Sequence, residues 1–150
     1  MNPSPGEQRK CKIFVIGVGS PLRRDDAAAL YLVEELRRRG YSCVLECPMG
    51  VELCAHRIRE ISPELLIIVD AALGVEAGNV TIINEPPSQS LWTTHNIDPG
   101  LMHRYVSLYA GKVVYLLLGV KDVGIGEGLS MEARRAIQKA LKLLEEINAA

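Results

Sequence analysis

The sequence predicts an α/β protein: a three-layer α/β/α sandwich in which helices cover both faces of a mostly parallel five-stranded sheet. Short apolar runs alternate along the 150 residues with segments of helical periodicity, an order typical of parallel sheets whose crossover connections are helices. The apolar runs are continuous, which indicates strands buried on both faces. No repeat divides the chain, so we expect a single domain over residues 11–150 after a flexible leader at residues 1–10.

The first half of the chain predicts three strands separated by two helices. The strands are Lys12–Val18, Ser42–Cys47 and Leu65–Asp70, and the helices are about Asp26–Arg39 and Glu52–Ile61. In the first helix the apolar side chains recur at the i, i+3, i+4, i+7 spacing of one face: Ala29, Leu32, Val33 and Leu36. Its outer face pairs Glu34 with Arg38 and Glu35 with Arg39, and Gly40 ends the helix.

The second half predicts two more strands and two more helices. The strands are Asn79–Asn84 and Val113–Gly119. Asp98 and Pro99 are a typical N-cap and first helical residue, and the inward face that follows is Met102, Tyr105, Val106 and Tyr109. Ser130 caps the last helix, whose inward face is Ile137, Ala140, Leu141 and Leu144.

Charge and hydropathy exclude several classes of partner. The formal net charge is −1 and the 17 basic residues form no block, so we expect neither nucleic acid nor an anionic membrane as a partner. No apolar run approaches the roughly 18–20 residues that span a bilayer. The first ten residues, MNPSPGEQRK, lack the apolar stretch of a signal peptide. We therefore expect a cytoplasmic protein.

The four cysteines are expected to be reduced and buried. Cys11, Cys43, Cys47 and Cys54 match neither a zinc ribbon nor a CxxC motif. Period-two alternation places Cys43 and Cys47 on one face of their strand. Thiols that act as small apolar side chains fit this pattern better than a metal site does.

Ligands of parallel sheets bind where loops leave the carboxyl ends of strands, and three polar segments lie at such ends. Gly17–Asp26 follows the first strand, Asp70 closes the third, and the loop Trp92–Asp98 contains His95. The turn GVGSPL lacks the third glycine of a dinucleotide fingerprint, because Leu22 stands there, and no GK[ST] phosphate loop is present. We therefore expect no nucleotide cofactor.

Asp26, Asp70 and His95 form the candidate site. Two carboxylates and an imidazole suit an open hydrolytic metal site, and the same set could hold a catalytic water between two aspartates without a metal. The structural alternatives are that Asp25 or Asp26 caps a helix, that Asp70 caps a turn, and that His95 is an ordinary loop histidine. His103 lies within a predicted helix and is expected at the surface or its boundary.

Four segments, taken in order, resemble the hydrogenase maturation endopeptidases. They are FVIGVGSPLRRDD, LLIIVDAALGVEAGNVTII, TTHN before a helix, and YLLLGVKDVGIGEGLS before the last helix, so the resemblance covers nearly the whole chain. Those enzymes remove a C-terminal extension from the large-subunit precursor of nickel-containing hydrogenases after the nickel is inserted. The resemblance implies the same activity here, with the precursor as the partner.

The resemblance also assigns roles to the candidate residues. Asp26 matches the family's first metal-contacting acid, Asp70 its second carboxylate, and His95 its histidine. In that family these residues are thought to engage nickel held in the substrate. The implied metal is therefore nickel carried by the substrate, with another divalent cation in the isolated protein as an alternative. Aspartic and metal-assisted mechanisms both stay open.

Three positions depart from the family pattern. Ser20 stands where the family usually has asparagine, and Ala27 and Ala29 stand where it usually has glycine. The more helix-forming AAAL run would make this turn more rigid and could narrow the site. Two alternative functions stay open: a relative that binds the precursor or its metal without cutting, and a small-molecule hydrolase on a similar sheet.

Overall fold

The computed structural model describes residues 11–48, 50–87 and 98–149. Along these residues the elements are β1 (Ile13–Gly19), α1 (Ala28–Arg38), β2 (Val44–Pro48), α2 (Ala55–Ile61), β3 (Leu65–Ala72), β4 (Val80–Ile83), α3 (Pro99–Ser107), β5 (Lys112–Gly119) and α4 (Met131–Ala149). The sheet order is β2-β1-β3-β5-β4. Only β4 runs antiparallel to its neighbour among these strands, so the predicted α/β fold with a mostly parallel sheet is confirmed.

The helices form two layers, one on each face of the sheet. Helices α1 and α4 pack on one face, over a cluster that includes Leu36, Val69 and Leu141. Helices α2 and α3 cover the other face, over a cluster that includes Ile58 and Val106. Strands β1, β3 and β5 lie between these layers and are buried along nearly their whole length. This double burial is the reason that their sequences are continuous apolar runs.

Two element boundaries differ from the prediction in ways that affect the candidate site. The first helix begins at Ala28, because the residues before it form a 3₁₀ turn, Arg24–Ala27. Strand β3 continues past Asp70 to Ala72, because its pairing with β5 runs on to Gly119. Asp70 therefore lies inside the last part of a strand instead of closing it.

Most of the local interactions predicted for the helices are confirmed. The Asp98 carboxylate accepts the N–H of Leu101 at 3.0 Å, and the Ser130 hydroxyl accepts the N–H of Ala133 at 3.1 Å. Both predicted Glu–Arg pairs of α1 form. Tyr105 is the exception, because it is 40% exposed although it was expected to face inward. Its ring packs edge-on against Tyr109 at the margin of α3.

The prediction of four reduced cysteines is wrong. Cys11 and Cys43 form one disulfide, and Cys47 and Cys54 form another. Cys11 and Cys43 stand just before the neighbouring parallel strands β1 and β2, which brings their Cα atoms to 5.7 Å although 32 positions separate them. That adjacency follows from strand pairing and not from cysteine spacing.

In the described ranges, no helix combines the length and the apolar character needed to cross a membrane.

Candidate functional site

Two glycines at the end of β1 allow the following turn to lie directly on the sheet. A Cβ on Gly17 would stand 2.5 Å from the carbonyl oxygen of Ala29, and a Cβ on Gly19 would collide with the carbonyl oxygen of Asp26. Because neither glycine has a side chain, α1 approaches β1 closely at Gly17, and the 3₁₀ turn Arg24–Ala27 packs against β1 and β3. This close approach brings Asp26 to the carboxyl edge of the sheet.

We expect Gly19→Ala to displace the 3₁₀ turn at this edge of the sheet and to destabilise the fold. The added methyl group meets backbone, which cannot rotate away, so the turn must shift and the free energy of unfolding should fall by about 1–3 kcal/mol. Gly100→Ala is the matched control, because among the described residues its Cβ would meet the end of a side chain, the Asp98 carboxylate at 3.2 Å, instead of backbone, and alanine favours a helix. Urea unfolding of both variants checks the prediction, and equal stability of the two would contradict it.

Asp26 and Asp70 are both buried at this edge. Asp26 has no exposed surface, and its Oδ2 accepts the backbone N–H of Ser20 at 3.1 Å. Asp70 is 1% exposed, and its Oδ1 accepts the N–H of Ala71 at 2.8 Å. Alternation along β3 places Asp70 on the face covered by α2 and α3, since Ile68 and Ala72 belong to that cluster. The structure thus places both predicted carboxylates on adjoining elements at the rim of the sheet.

Asp25 has a different role from Asp26. Its Oδ2 accepts the N–H groups of Lys121 and Asp122, each at 3.0 Å, and the hydroxyl of Ser130 at 2.6 Å; its Oδ1 accepts the N–H of Ser130 at 2.8 Å. A carboxylate offers about four acceptor positions, so these four donors saturate it. Local pattern alone did not separate the two acids, and it was the family resemblance that selected Asp26. In the structure Asp25 joins two loops through these contacts, whereas Asp26 accepts the N–H of Ser20.

The same contacts determine the ionisation of Asp25. Burial raises the pKa of Asp25, but hydrogen bonds from Ser130, Asp122 and Lys121 together outweigh it and hold the pKa below its ordinary value of 3.8. A carboxyl group whose pKa is depressed by folding contributes stability above its unfolded pKa, and this contribution is lost as the pH falls through the folded pKa. The Asp25 contacts therefore stabilise the fold at neutral pH, and this contribution is lost as the pH falls through the lowered pKa of Asp25.

Ser130→Ala tests this linkage. The change removes a charge-assisted hydrogen bond worth about 1.5–3 kcal/mol and the cap of α4, worth about 1 kcal/mol. At pH 7 we expect the free energy of unfolding to fall by the sum of both contributions. Below the pKa of Asp25 we expect a smaller fall, which corresponds to the loss of the cap alone. Unfolding free energies of wild type and variant across this range give the measurement. A difference that does not change with pH would contradict the assignment.

A polar pair on the Asp70 face was missed by the sequence analysis. The Tyr115 hydroxyl and the His103 Nδ1 are 2.9 Å apart, and Tyr115 pairs with Ile68 across β3 and β5. Burial raises the pKa of Tyr115 well above its ordinary value, so the hydroxyl keeps its proton. A tyrosine within the run VVYLLL was the available signal, because a buried tyrosine hydroxyl needs a partner. His103 is half-buried, as expected for a boundary residue.

His95 lies outside the described residues. Within the described ranges, no group of three His, Cys, Asp or Glu side chains is arranged to hold a metal ion. The structure thus describes two of the three predicted site residues, and the three-residue set stays a prediction.

The alanines that depart from the family pattern are accommodated by the core. Ala27 and Ala29 are buried, and Ala29 belongs to the cluster beneath α1 and α4. Ser20 acts through its backbone N–H, which any residue but proline supplies. The hydrogen bond from Ser20 to Asp26 therefore does not depend on the serine side chain.

Comparison with known proteins places the chain beside hydrogenase maturation proteases. A curated sequence from Methanocaldococcus jannaschii, provisionally named a hydrogenase maturation protease, is 21% identical over 93% of this chain and 92% of the relative. No protein-family model matches the chain. The [NiFe] hydrogenase maturation protease HycI of Thermococcus kodakarensis has a TM-score of 0.79 at 24% identity over 94% of each chain.

Two further solved structures extend this result. The endopeptidase HycI of Escherichia coli has a TM-score of 0.79 at 25% identity over 90% of each chain. The [NiFe] hydrogenase maturation protease HybD of T. kodakarensis has a TM-score of 0.70 at 19% identity, over 91% of this chain and 98% of that one. The resemblance to the hydrogenase maturation endopeptidases is thereby confirmed across nearly the whole chain.

Proposed function

We propose that this protein is an endopeptidase that removes the C-terminal extension of a nickel-loaded [NiFe]-hydrogenase large-subunit precursor. The observation that carries the proposal is the pair of buried carboxylates, Asp26 and Asp70, at the carboxyl edge of the sheet. Solved hydrogenase maturation proteases have the same fold over most of their length. Parallel α/β sheets bind ligands at this edge, so the carboxylates stand where a substrate would be expected.

In this proposal Asp26 and Asp70, at the rim of the sheet, recognise the nickel that the substrate holds. Burial of two carboxylates at one edge of the sheet is costly, because each loses water and like charges repel. A divalent cation brought by the precursor offsets both costs, and His95 completes the proposed set with an imidazole nitrogen. A precursor without nickel lacks this attraction, so in this proposal cleavage occurs only after nickel has been inserted.

Hydrolysis then requires a proton acceptor for the attacking water and a proton donor for the leaving amine. A carboxylate can accept the proton from water and return it to the amine nitrogen as the peptide bond breaks. Asp26 and Asp70 are the proposed carboxylates for this step. Asp25 is not, because its oxygens are already saturated by the loop before α4.

The test is a processing assay on a purified precursor with and without nickel. We expect mass spectrometry to show loss of the C-terminal extension only from the nickel-loaded precursor. A nickel-loaded precursor that stays intact but co-purifies with the protein would overturn the peptidase proposal and favour the non-cleaving binding function. Equal cleavage with and without nickel would refute the recognition of the metal.

A small-molecule hydrolase is less well supported. That function would favour an enclosed apolar cavity beside the catalytic residues. The structure has an open cleft of about 470 Å³ between α1 and α4, lined by side chains that include Glu34, Arg38 and Arg134. Neither Asp26 nor Asp70 lines this charged cleft. The cytoplasmic location stays a prediction.

A further inference from the structure

The loop between β5 and α4 (residues 120–130) is bound to the chain just before α1. Backbone hydrogen bonds run from Gly126 N to Leu22 O at 2.9 Å, from Arg24 N to Gly126 O at 3.1 Å, and from Asp25 N to Asp122 O at 2.8 Å. The four hydrogen bonds to the Asp25 carboxylate join the same two segments. The two segments therefore form one unit at the edge of the sheet, although about 100 positions separate them in sequence.

The backbone of this unit is strained immediately before the two acids. Arg24 has a φ of 44°, which is unfavourable for a residue with a side chain. Such a conformation persists only when surrounding contacts hold it, and it is commonly found at functional sites. The two side chains that follow the strained residue diverge: Asp25 reaches the β5–α4 loop, and Asp26 reaches back to Ser20, just after β1.

We propose that Asp25 is the positioning residue for Asp26. By anchoring its carboxylate in the β5–α4 loop, Asp25 holds the strained turn, and the turn holds the Asp26 carboxylate on the Ser20 N–H at the rim of the sheet. The importance of this positioning for catalysis rests on the proposed function, whereas the positioning itself does not. A displacement of about 1 Å at a reacting group can lower a rate by about 100-fold, so loss of the anchor should affect turnover.

The experiment compares Ser130→Ala, Ser130→Thr and Asp25→Asn with wild type. Ser130→Ala removes the shortest of the four hydrogen bonds and keeps the three from the backbone, so this variant tests the proposal even if Asp25→Asn fails to fold. Ser130→Thr keeps the hydroxyl and should restore wild-type behaviour. Leu144→Ala is the control for general destabilisation, because Leu144 is buried in the α4 core and takes no part in the Asp25 contacts.

The first measurement is hydrogen exchange of the Ser20 amide, which reports whether Asp26 stays in place. We expect exchange at Ser20 to be at least 10-fold faster in Ser130→Ala than in wild type, and unchanged in Ser130→Thr and Leu144→Ala after correction for global stability. The second is precursor processing, for which we expect kcat to fall about 10–100-fold in Ser130→Ala with KM unchanged, because the precursor still binds.

The outcomes separate this inference from the proposed function. Normal Ser20 exchange and normal kcat in Ser130→Ala, with a lowered melting temperature, would mean that Asp25 only stabilises the fold, and the inference would be overturned. A similar loss of kcat in Leu144→Ala would overturn it as well. If wild type does not cleave the precursor, the proposed function fails, while the Ser20 exchange rates still decide whether Asp25 positions Asp26.

Discussion

Replacement of Asp26 or Asp70 by asparagine, or of His95 by alanine, is expected to reduce precursor processing by about 10²–10⁴-fold. Asparagine keeps the shape of the side chain but removes its negative charge, so it can neither attract the nickel of the proposed substrate nor accept a proton from water. The two aspartates are buried, and a neutral amide costs less to bury than a carboxylate does. The folded structure should therefore survive, which circular dichroism can verify.

Mass spectrometry of nickel-loaded precursor gives the processing rates, and Glu60→Gln is the matched control. Glu60 undergoes the same change from carboxylate to amide, but it is exposed on α2, where it forms a salt bridge with the exposed Arg57. We expect Glu60→Gln to process the precursor at the wild-type rate. Normal processing by all three site variants would exclude this site.

Reduction of the Cys11–Cys43 disulfide is expected to lower the free energy of unfolding by about 3–4 kcal/mol. This disulfide closes a loop of 32 positions, and the loss of chain entropy in the unfolded state scales with the logarithm of that length. For a chain of this size, 1 kcal/mol corresponds to roughly 2–4 °C. The melting temperature of the Cys11→Ser, Cys43→Ser double variant should therefore fall by about 10 °C without reductant. That of the wild-type protein should fall further in reductant, which also reduces the Cys47–Cys54 disulfide.

The Cys47–Cys54 disulfide is the internal comparison. It closes a loop of only 7 positions, so the Cys47→Ser, Cys54→Ser double variant should lose less, about 2–3 kcal/mol on the same basis. Melting temperatures of the two double variants, with and without reductant, complete the test. A melting temperature that does not respond to reductant, together with four titratable thiols in the unreduced protein, would show that the disulfides are absent.

Local pattern was sufficient to predict most of the architecture. The inward face of α1, the caps at Asp98 and Ser130, and the order of strands and helices all follow from interactions between residues close in sequence. The strands could be predicted for a related reason, because burial on both faces requires a continuous apolar run. Boundaries were less predictable: β3 extends to Ala72 because β5 lies beside it.

The candidate site could be predicted only in part. Position at strand ends pointed to the Asp25–Asp26 pair and to Asp70, since the carboxyl edge of a parallel sheet collects such side chains. The family resemblance then selected Asp26 from the pair. The different roles of Asp25 and Asp26 could not be predicted, because they depend on hydrogen bonds to Ser130 and Lys121, roughly 100 positions away. The disulfides were missed for the same reason, since partners such as Cys11 and Cys43 are brought together by strand pairing.

The sequence by itself determined the fold class and directed attention to the Asp25–Asp26 pair and Asp70, because periodicity and strand ends are local properties of the chain. Only the tertiary structure decided that Asp25 is saturated while Asp26 lies on the Ser20 N–H, and that Arg24 adopts a strained conformation between the two loops. Hydrogen bonds and close approaches between distant segments decide such matters, and these contacts exist only once the chain has folded.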